Sequence, residues 1–418
     1  MAMVVKNNMS AISTLNTLNK NSSALTKSLA KVSSGMKINS AQDDASGYAI
    51  SERMRVQIRS LDQANQNTQN GSSMMKTAEG AVSSTVEILK TLKEKVINAA
   101  NDTNTDSDRA TIQKELDQSI DQIDDNANVT YNGKYLVDGS KNTLGTATTA
   151  SFTNQSLATD TKWTTKLTEL TRRAGDSLEI VSTDRITVSY VKQGVTHTST
   201  FTVGKSATLD TIISALNKDG TAVQKSSANL TSVIGVDSGN NTIKTANGEN
   251  ALTIQSASSG ITGAVNGIMI RVTDSFGAVK KSANAALDSF DQSIFAENTS
   301  KDNALTLQVG AKANQSIKVG LKDMRSEALG LKGSDGTKLN ISTQEKANAA
   351  IGVLDNAVAK ALDQQTTIGS IESRLEYTSS NLTTASENVQ ASESTIRDAD
   401  MAKEMTNYTK NNVLLQAA

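Results

Sequence analysis

Few side chains in this protein have the types and spacing needed for catalysis or metal binding. The 418 residues include one histidine, His197, and no cysteine. A cysteine nucleophile, a CxxC zinc site and a disulfide framework are therefore excluded, and one histidine cannot form an HExxH metalloprotease helix. His197 lies in the segment 195–198, whose alternation is typical of a surface strand. These observations predict that the protein is not an enzyme, with an enzyme or binding module in residues 150–302 as the less favoured alternative.

Two acidic pairs and three glycines are the remaining candidates for a binding site. The acidic pairs lie at 43–44 and 124–125. Adjacent residues on a helix point in different directions, which favours helix capping or solvated charge over cation binding. The glycines at 260, 263 and 267 are not followed by the GK[ST] of a phosphate-binding loop. The sequence therefore predicts no catalytic, cofactor-binding or metal-binding residue, and no cofactor.

The charge balance and the apolar pattern exclude two classes of partner. Lys and Arg number 42, Asp and Glu number 43, and the formal net charge is −1. A nucleic-acid-binding surface would need a basic excess, and a membrane-spanning helix would need about 18 consecutive apolar residues. Neither feature is present, so we predict no nucleic-acid partner and no membrane insertion. The first residues also lack the basic and apolar segments of a cleaved signal peptide.

The absence of proline and the shortage of aromatic residues favour long helices that assemble. Because the chain has no proline, helices of any length can continue unbroken. Aromatic residues make up only 3% of the sequence, so an isolated subunit gains little free energy from burial. We therefore expect neighbouring copies to cover part of the apolar surface.

Apolar residues at heptad spacing predict long helices at both ends of the chain. This spacing is typical of a coiled coil or a helix bundle, and we interpret the residues that carry it as a self-assembly seam. An ordinary helix bundle with an inserted loop is the alternative interpretation. The seam residues are Leu15, Leu18, Leu25, Leu29, Val32, Leu354, Ala361, Ile368, Leu375, Leu382, Val389 and Ile396.

The middle of the chain has a different pattern, with frequent turn residues and alternating Val and Thr. The predicted elements are helices at about 4–32, 44–100, 112–123, 342–398 and 399–418, hairpins at 186–203 and 305–321, a short helix at 209–216, and strands near 241–245, 251–256 and 267–272.

Together these patterns predict a multidomain α+β fold that is mainly α. Long terminal helices pack as a coiled coil or bundle, and a β-rich outer domain and a β-hairpin are inserted between them.

Four segments resemble sequence motifs of one family, in the same order along the chain. They are Ser33–Gly47 (SSGMKINSAQDDASG), Thr77–Ala81 (TAEGA), Leu307–Ala311 (LQVGA) and Ile396–Ala402 (IRDADMA). The chain is identified by this resemblance as a member of the bacterial flagellin family. The resemblance covers about 1–140 and 303–418 and does not extend to the middle region. It implies an inner terminal helical domain at 1–45 and 394–418, a helical bundle with the hairpin at 46–140 and 303–393, and a variable, surface-exposed and mostly β domain at 141–302.

The resemblance implies a structural subunit that self-assembles into the extracellular flagellar filament and serves motility. It further implies export through the flagellar type III channel without a cleaved signal peptide. The implied partners are other flagellin subunits, the cap and hook–filament junction proteins, and the export chaperone. Family members usually continue beyond Leu414–Ala418, so the inner domain and the chaperone site are expected to be truncated here. A hook–filament junction protein of the same superfamily is the alternative.

The resemblance also implies binding to the Toll-like flagellin receptor of animals. The candidate contacts are Lys90, Thr91, Leu92, Lys95 and Glu115. Thr91 stands where the family has a key Arg, and a hydroxyl cannot replace a planar guanidinium. Lys95 stands where the family has Leu, which adds a desolvation cost at an apolar contact. Glu115 matches the family, and the expectation is a weakened ligand.

Overall fold

The computed structural model describes residues 8–218, 220–227 and 230–417. Residues 1–7 and Ala418, which the sequence analysis assigns to the inner terminal domain, lie outside the described residues. The helices are α1 (Met9–Ser34), α2 (Ala45–Ala99), α3 (Asp106–Ala127), α4 (Leu209–Leu216), α5 (Lys281–Leu287), α6 (Gln344–Arg397) and α7 (Met401–Ala417). The strands are β1 (Thr130–Tyr131), β2 (Lys134–Tyr135), β3 (Ser151–Asn154), β4 (Arg185–Lys192), β5 (Val195–Thr202), β6 (Val223–Lys225), β7 (Val233–Val236), β8 (Thr242–Lys244), β9 (Leu252–Ser256), β10 (Val265–Thr273), β11 (Asp291–Ile294), β12 (Leu305–Gln308) and β13 (Ser316–Val319).

Helical ends and a β-rich middle confirm the predicted fold class. The long helices, the β4–β5 and β12–β13 hairpins and the short α4 all form where the sequence predicts them. The structure adds α5, β3, β6, β7 and β11, which the sequence analysis did not identify. Within the described part of the chain, none of the helices has the length and apolar content needed to cross a bilayer.

The helix ends follow local capping rules. The Asn8 side chain accepts a hydrogen bond from the Ala11 backbone N–H at 3.2 Å and caps α1. Gly35 ends α1 with φ of 70°, a left-handed conformation that glycine adopts without strain. At the start of α3, Thr105 and Asp108 form a reciprocal capping box. These caps satisfy backbone groups that an isolated helix end leaves unpaired.

The chain divides into two compact units, and the first comprises Met1–Gly71, Leu307–Ile317 and Arg374–Ala418. In this unit α1 packs on α7, and the N-terminal part of α2 runs antiparallel to the C-terminal part of α6. Side chains link the second pair: Ser386 donates to Asp62 at 3.0 Å, and Ser379 donates to Asn65 at 2.6 Å. A small apolar cluster of Leu61, Ala64 and Leu382 packs between these two helices.

The second unit comprises Ser72–Thr306 and Lys318–Ser373, and its helical part combines segments of α2, α3 and α6. Lys93 of α2 forms an ion pair with Asp355 of α6. Arg109 of α3 is 6% exposed and donates through Nε to the Ala99 carbonyl at 2.9 Å. The apolar residues buried on these helices include Met75, Val82, Leu89, Val96, Leu116, Ile120, Ile123, Val353, Leu354 and Ala361.

The β-rich part of the second unit has two antiparallel sheets around one apolar core. The strand orders are β10-β4-β5 and β11-β3-β9-β6. Residues of both sheets, of α4 and α5, and of the segment around Trp163 contribute to the core. Trp163, the single tryptophan, donates from Nε1 to the Ser227 carbonyl at 3.1 Å. β7 and β8 form a separate hairpin.

Candidate assembly surface

Helix α1 carries apolar side chains on two faces that differ in exposure. Ser28 is 6% exposed and accepts a hydrogen bond from Asn411 of α7 at 3.2 Å, which identifies the face of α1 toward α7. Leu25 and Val32, three and four residues away, lie on that face and are half-buried. Leu15 and Leu29 are 60% and 50% exposed. The predicted seam of α1 is therefore partly covered by α7 and partly open to solvent.

Helix α7 also leaves large apolar side chains uncovered. Met401, Met405, Val413 and Leu414 are all between 42% and 57% exposed. Exposed apolar residues that cluster on paired helices are typical of an interaction surface rather than of scattered surface positions. We define the terminal apolar surface as the exposed apolar residues of α1 and α7: Met9, Ile12, Leu15, Leu29, Met401, Met405, Val413 and Leu414.

The predicted seam of α6 lies largely inside this chain. Ala361 and Ile368, with Leu354, are fully buried in the second unit. Leu375 is fully buried and Leu382 is 9% exposed in the first unit, where Val389 packs against the Leu382 cluster. These residues therefore hold the subunit together, whereas the terminal apolar surface is free in the isolated chain. The remaining predicted positions, Leu18 and Ile396, are half-buried.

A short antiparallel backbone bridge, which we call the crossing, joins the loop between α1 and α2 to the loop between α6 and α7. The Lys37 N–H donates to the Arg397 carbonyl at 2.7 Å, and the Ala399 N–H donates to the Gly35 carbonyl at 2.9 Å. These two bonds flank an antiparallel bridge between Met36 and Asp398. Because the two loops are hydrogen-bonded to each other, the C-terminal end of α1 lies beside the N-terminal end of α7. The two helices can therefore pack along each other.

Arg397 is the central side chain of this crossing. It is 6% exposed, and its Nη1 donates to Glu52 Oε1 at 2.6 Å. Its guanidinium lies 5.5 Å from the centre of the Tyr48 ring, a cation–π distance. The hydrogen bond from Arg397 lowers the pKa of Glu52 below its usual value. The arginine of the IRDADMA motif thus ties the end of α6 to the start of α2.

The SSGMKINSAQDDASG motif folds into the loop of the same crossing. Asp44 Oδ1 accepts from the Gly47 N–H at 3.0 Å and caps α2, which confirms the capping interpretation of the first acidic pair. A Cβ at Gly47 would lie 2.5 Å from Asp44 Oδ2 and 2.7 Å from Ile38 Cδ1, so a larger residue there would displace the capping side chain of Asp44 or that of Ile38. Hydrogen bonds from the backbone N–H groups of Asn39 and Ser40 lower the pKa of Asp43.

The predicted receptor contacts fall into two groups of different accessibility. Lys95 and Glu115 form an ion pair at 3.1 Å between α2 and α3, with side chains 40% and 52% exposed. Lys90 pairs with Glu87 at 2.7 Å, and the Thr91 hydroxyl donates to the Glu87 carbonyl. Leu92 is only 1% exposed and belongs to the core of the second unit.

His197 packs against a tyrosine of the neighbouring strand. Its ring stacks on Tyr190 with centroids 4.8 Å apart, and the two residues are directly paired between β4 and β5. Within the described ranges, no three His, Cys, Asp or Glu side chains are grouped closely enough to hold a metal ion.

The fold and this surface define a class of multidomain protein in which a helix near each terminus pairs with the other and leaves apolar side chains exposed. Comparison with known proteins places the chain more narrowly. Residues 5–142 match the bacterial flagellin N-terminal helical region, and residues 351–418 match the bacterial flagellin C-terminal helical region. The chain is 33% identical to a flagellin of Clostridium tyrobutyricum, covering 100% of this chain and 97% of that protein. The chain belongs to the bacterial flagellin family.

Other relatives agree with this assignment. A flagellin of Bacillus subtilis is 29% identical over 100% of this chain and 94% of that protein. Among solved structures, a flagellar hook associated protein-3 from Legionella pneumophila has 16% identity and a TM-score of 0.35, covering 82% of this chain and 97% of that one. The matches to flagellins over the whole chain favour the filament subunit over the junction-protein alternative. Flagellins are structural filament proteins, so the prediction that this chain is not an enzyme is confirmed.

Proposed function

We propose that this chain assembles into the flagellar filament through the terminal apolar surface on α1 and α7. The observation that carries the proposal is the uneven burial of the predicted seam. The α6 residues are used inside the subunit, whereas Leu15 and Leu29 remain 60% and 50% exposed. A head-to-tail contact between identical subunits that does not close into a ring produces an open helical filament.

The free energy available from this surface is large enough to drive assembly. Covering the exposed part of a Leu or Met side chain stabilises an interface by about 1 kcal/mol. The terminal apolar surface has eight such residues, each at least 42% exposed. Together they could contribute several kcal/mol per subunit, which is in the range that specific association needs.

Assembly can be tested by replacing the two leucines at the centre of the surface. The double variant Leu15→Asn/Leu29→Asn should raise the critical concentration for seeded polymerisation by about 30-fold, because about 2 kcal/mol of burial is lost. The matched control, Ser13→Asn/Ser23→Asn, changes exposed polar positions of the same helix and should polymerise normally. Sedimentation and negative-stain electron microscopy measure polymer mass and shape. Equal critical concentrations for both variants, with unchanged circular dichroism, would contradict the proposal.

We also propose the three-domain division given by the sequence. Residues 1–45 and 394–418 are the inner domain, 46–140 and 303–393 the surrounding bundle, and 141–302 the part that faces the medium. On the support of family membership alone, we propose export without a cleaved signal peptide and contacts with the cap, the hook–filament junction proteins and the export chaperone. Pull-down with the purified chaperone and cap from the same flagellum tests these contacts.

We further propose weak binding to the Toll-like flagellin receptor through the exposed candidates on α2 and α3. Thr91 supplies only a hydroxyl, which is already donated to the Glu87 carbonyl, and the Lys95–Glu115 pair must be desolvated at an interface. Buried Leu92 supports this face from within. Thr91→Arg should therefore increase receptor affinity in a competition assay, whereas Thr111→Arg on an exposed position of α3 serves as the charge-matched control. Equal effects of the two variants would contradict the proposed contact.

A further inference from the structure

A polar cleft in the second unit contains a buried lysine that lies outside the terminal apolar surface. The cleft has a volume of about 510 Å³ and lies between the loops 138–142 and 296–303, residues 322–325, and α6. Its lining includes the hydroxyl and amide side chains of Ser140 and Asn298 as well as charged groups. A small hydrophilic molecule would find both hydrogen-bond donors and acceptors there.

Lys360 of α6 lines this cleft and is only 4% exposed. Its Nζ donates one hydrogen bond, to the Ala328 carbonyl at 2.7 Å. Among the described residues, no carboxylate lies within ion-pair distance of this nitrogen, although Glu297 and Asp323 line the same cleft. A buried ammonium group with a single neutral acceptor is poorly compensated for the loss of water. Burial accordingly lowers the pKa of Lys360 to about 8.

Lys322 lines the same cleft but, unlike Lys360, has carboxylate partners, so the two lysines can be compared. Its Nζ lies 3.2 Å from a carboxylate oxygen of Glu297 and 3.2 Å from one of Asp363, and its side chain is 34% exposed. Burial opposes its charged form, but the two carboxylates outweigh that effect and raise the pKa of Lys322. One lysine of the cleft therefore keeps its charge, whereas the other loses its proton more readily than an ordinary lysine.

We propose that Lys360 is a selectively reactive amine that forms imines with small hydrophilic aldehydes entering the cleft. The Nζ lone pair adds to the carbonyl carbon, and a proton moves from nitrogen to the former carbonyl oxygen. Loss of that oxygen as water then leaves a carbon–nitrogen double bond, so amine and aldehyde give imine and water. Nothing is oxidised or reduced in this step, and no co-reactant is needed. The site is distinct from the terminal apolar surface.

The expected selectivity follows from the fraction of neutral amine. At pH 7 a lysine with a pKa of 8 is neutral about 300 times more often than one with a pKa of 10.5. Lower basicity reduces the intrinsic nucleophilicity of the amine, so about a tenfold advantage should remain over an ordinary lysine.

The test treats the folded full chain with glycolaldehyde and sodium cyanoborohydride, which reduces each imine to a stable secondary amine. Peptide mass spectrometry then follows labelling at Lys360 and Lys322. Lys360 should be labelled about tenfold faster at pH 7, and its rate should level off above a midpoint near pH 8. Labelling of Lys360 no faster than Lys322, labelling only in urea, or a rate that still rises above pH 10 would overturn the proposal.

Two variants make the test specific. Lys360→Met should remove this label without changing the labelling rates of other lysines or the circular dichroism spectrum. Lys322→Gln removes a neighbouring positive charge and frees Glu297, and both changes favour the charged form of Lys360. This variant should move the labelling midpoint of Lys360 to higher pH and slow its reaction at pH 7 several-fold. An unchanged midpoint would contradict the electrostatic basis of the proposal.

Discussion

Replacing Lys360 with methionine should stabilise the second unit at neutral pH. Below pH 8 both the folded and the unfolded chain carry the lysine charge, and the folded chain bears the full cost of burying it. The difference between pKa values of 10.5 and about 8 corresponds to about 3 kcal/mol. Removing the ammonium also leaves the Ala328 carbonyl without its hydrogen bond, which costs about 1 kcal/mol. The net gain expected for Lys360→Met at pH 7 is therefore about 2 kcal/mol.

The direction in which the free energy of unfolding changes with pH follows from the pKa of Lys360 in the folded and the unfolded chain. Between pH 8 and 10.5 the folded chain releases the Lys360 proton while the unfolded chain retains it. The free energy of unfolding of the wild type should therefore rise with pH across this window, relative to the variant. The advantage of Lys360→Met should disappear before pH 10.5, because the folded wild type then no longer buries a charge while the variant still lacks the hydrogen bond to the Ala328 carbonyl.

Urea unfolding measures this difference through the fluorescence of the single tryptophan, Trp163, which lies in the same unit. Wild type and Lys360→Met are compared at pH 7, 8, 9 and 10, so that groups common to both chains cancel. Lys322→Met is the control, because its ammonium is already paired with Glu297 and Asp363 and its loss should destabilise. A constant difference between wild type and Lys360→Met at all pH values, or a destabilised variant at pH 7, would refute the reasoning.

Two further predictions concern the crossing between the helix breaks. Arg397→Gln should increase amide exchange in α1 by about tenfold, because the buried link to Glu52 and Tyr48 is lost. Arg55→Gln, which removes a 40% exposed arginine of the same helix pair, should change exchange little, and equal effects would contradict the role of Arg397. Gly47→Ala should destabilise the first unit by about 1–3 kcal/mol in urea unfolding, because the added Cβ collides with Asp44. Gly80→Ala, in open space within α2, should instead stabilise by up to about 1 kcal/mol, and a stable Gly47→Ala would show that the loop rearranges freely.

The parts of the fold that the sequence predicts are those governed by local rules. The heptad rows identify α1 and α6 because apolar spacing and the absence of proline act within one helix. Gly35 and Asp44 identify helix ends because capping involves only neighbouring backbone groups. The β4–β5 hairpin is predicted because its turn residues lie between two alternating segments.

The elements that the sequence analysis missed depend on contacts distant in sequence. β3 lies between β11 and β9 and is buried along its whole length, yet three of its four residues are polar. Asn154 is tolerated there because its Nδ2 donates to the Ala286 carbonyl at 2.7 Å, and the Thr153 hydroxyl lies 3.5 Å from that of Thr253. No hydrophobic alternation marks such a strand, because its polar groups find partners only after folding.

The functional assignments also divide into those that the local sequence predicts and those that depend on the folded structure. Motif spacing identified the family, but exposure decided which predicted seam residues are free for association: Leu15 and Leu29 are open, whereas Ala361 and Ile368 are buried. Lys360 gave no signal in the sequence, where a lysine beside a heptad position resembles any solvated helix residue. Its burial is produced by the loops that close over α6 in the folded chain.

Thiol accessibility before and after assembly tests the central claim most directly, since the chain has no native cysteine. Leu15→Cys should react rapidly with a thiol reagent in the monomer, where position 15 is 60% exposed, and at least about tenfold more slowly in the filament. Phe276→Cys, at a middle-region position that is 95% exposed, should remain reactive in both states. If Leu15→Cys reacts equally fast in monomer and filament, the terminal apolar surface is not the assembly contact and the account is wrong.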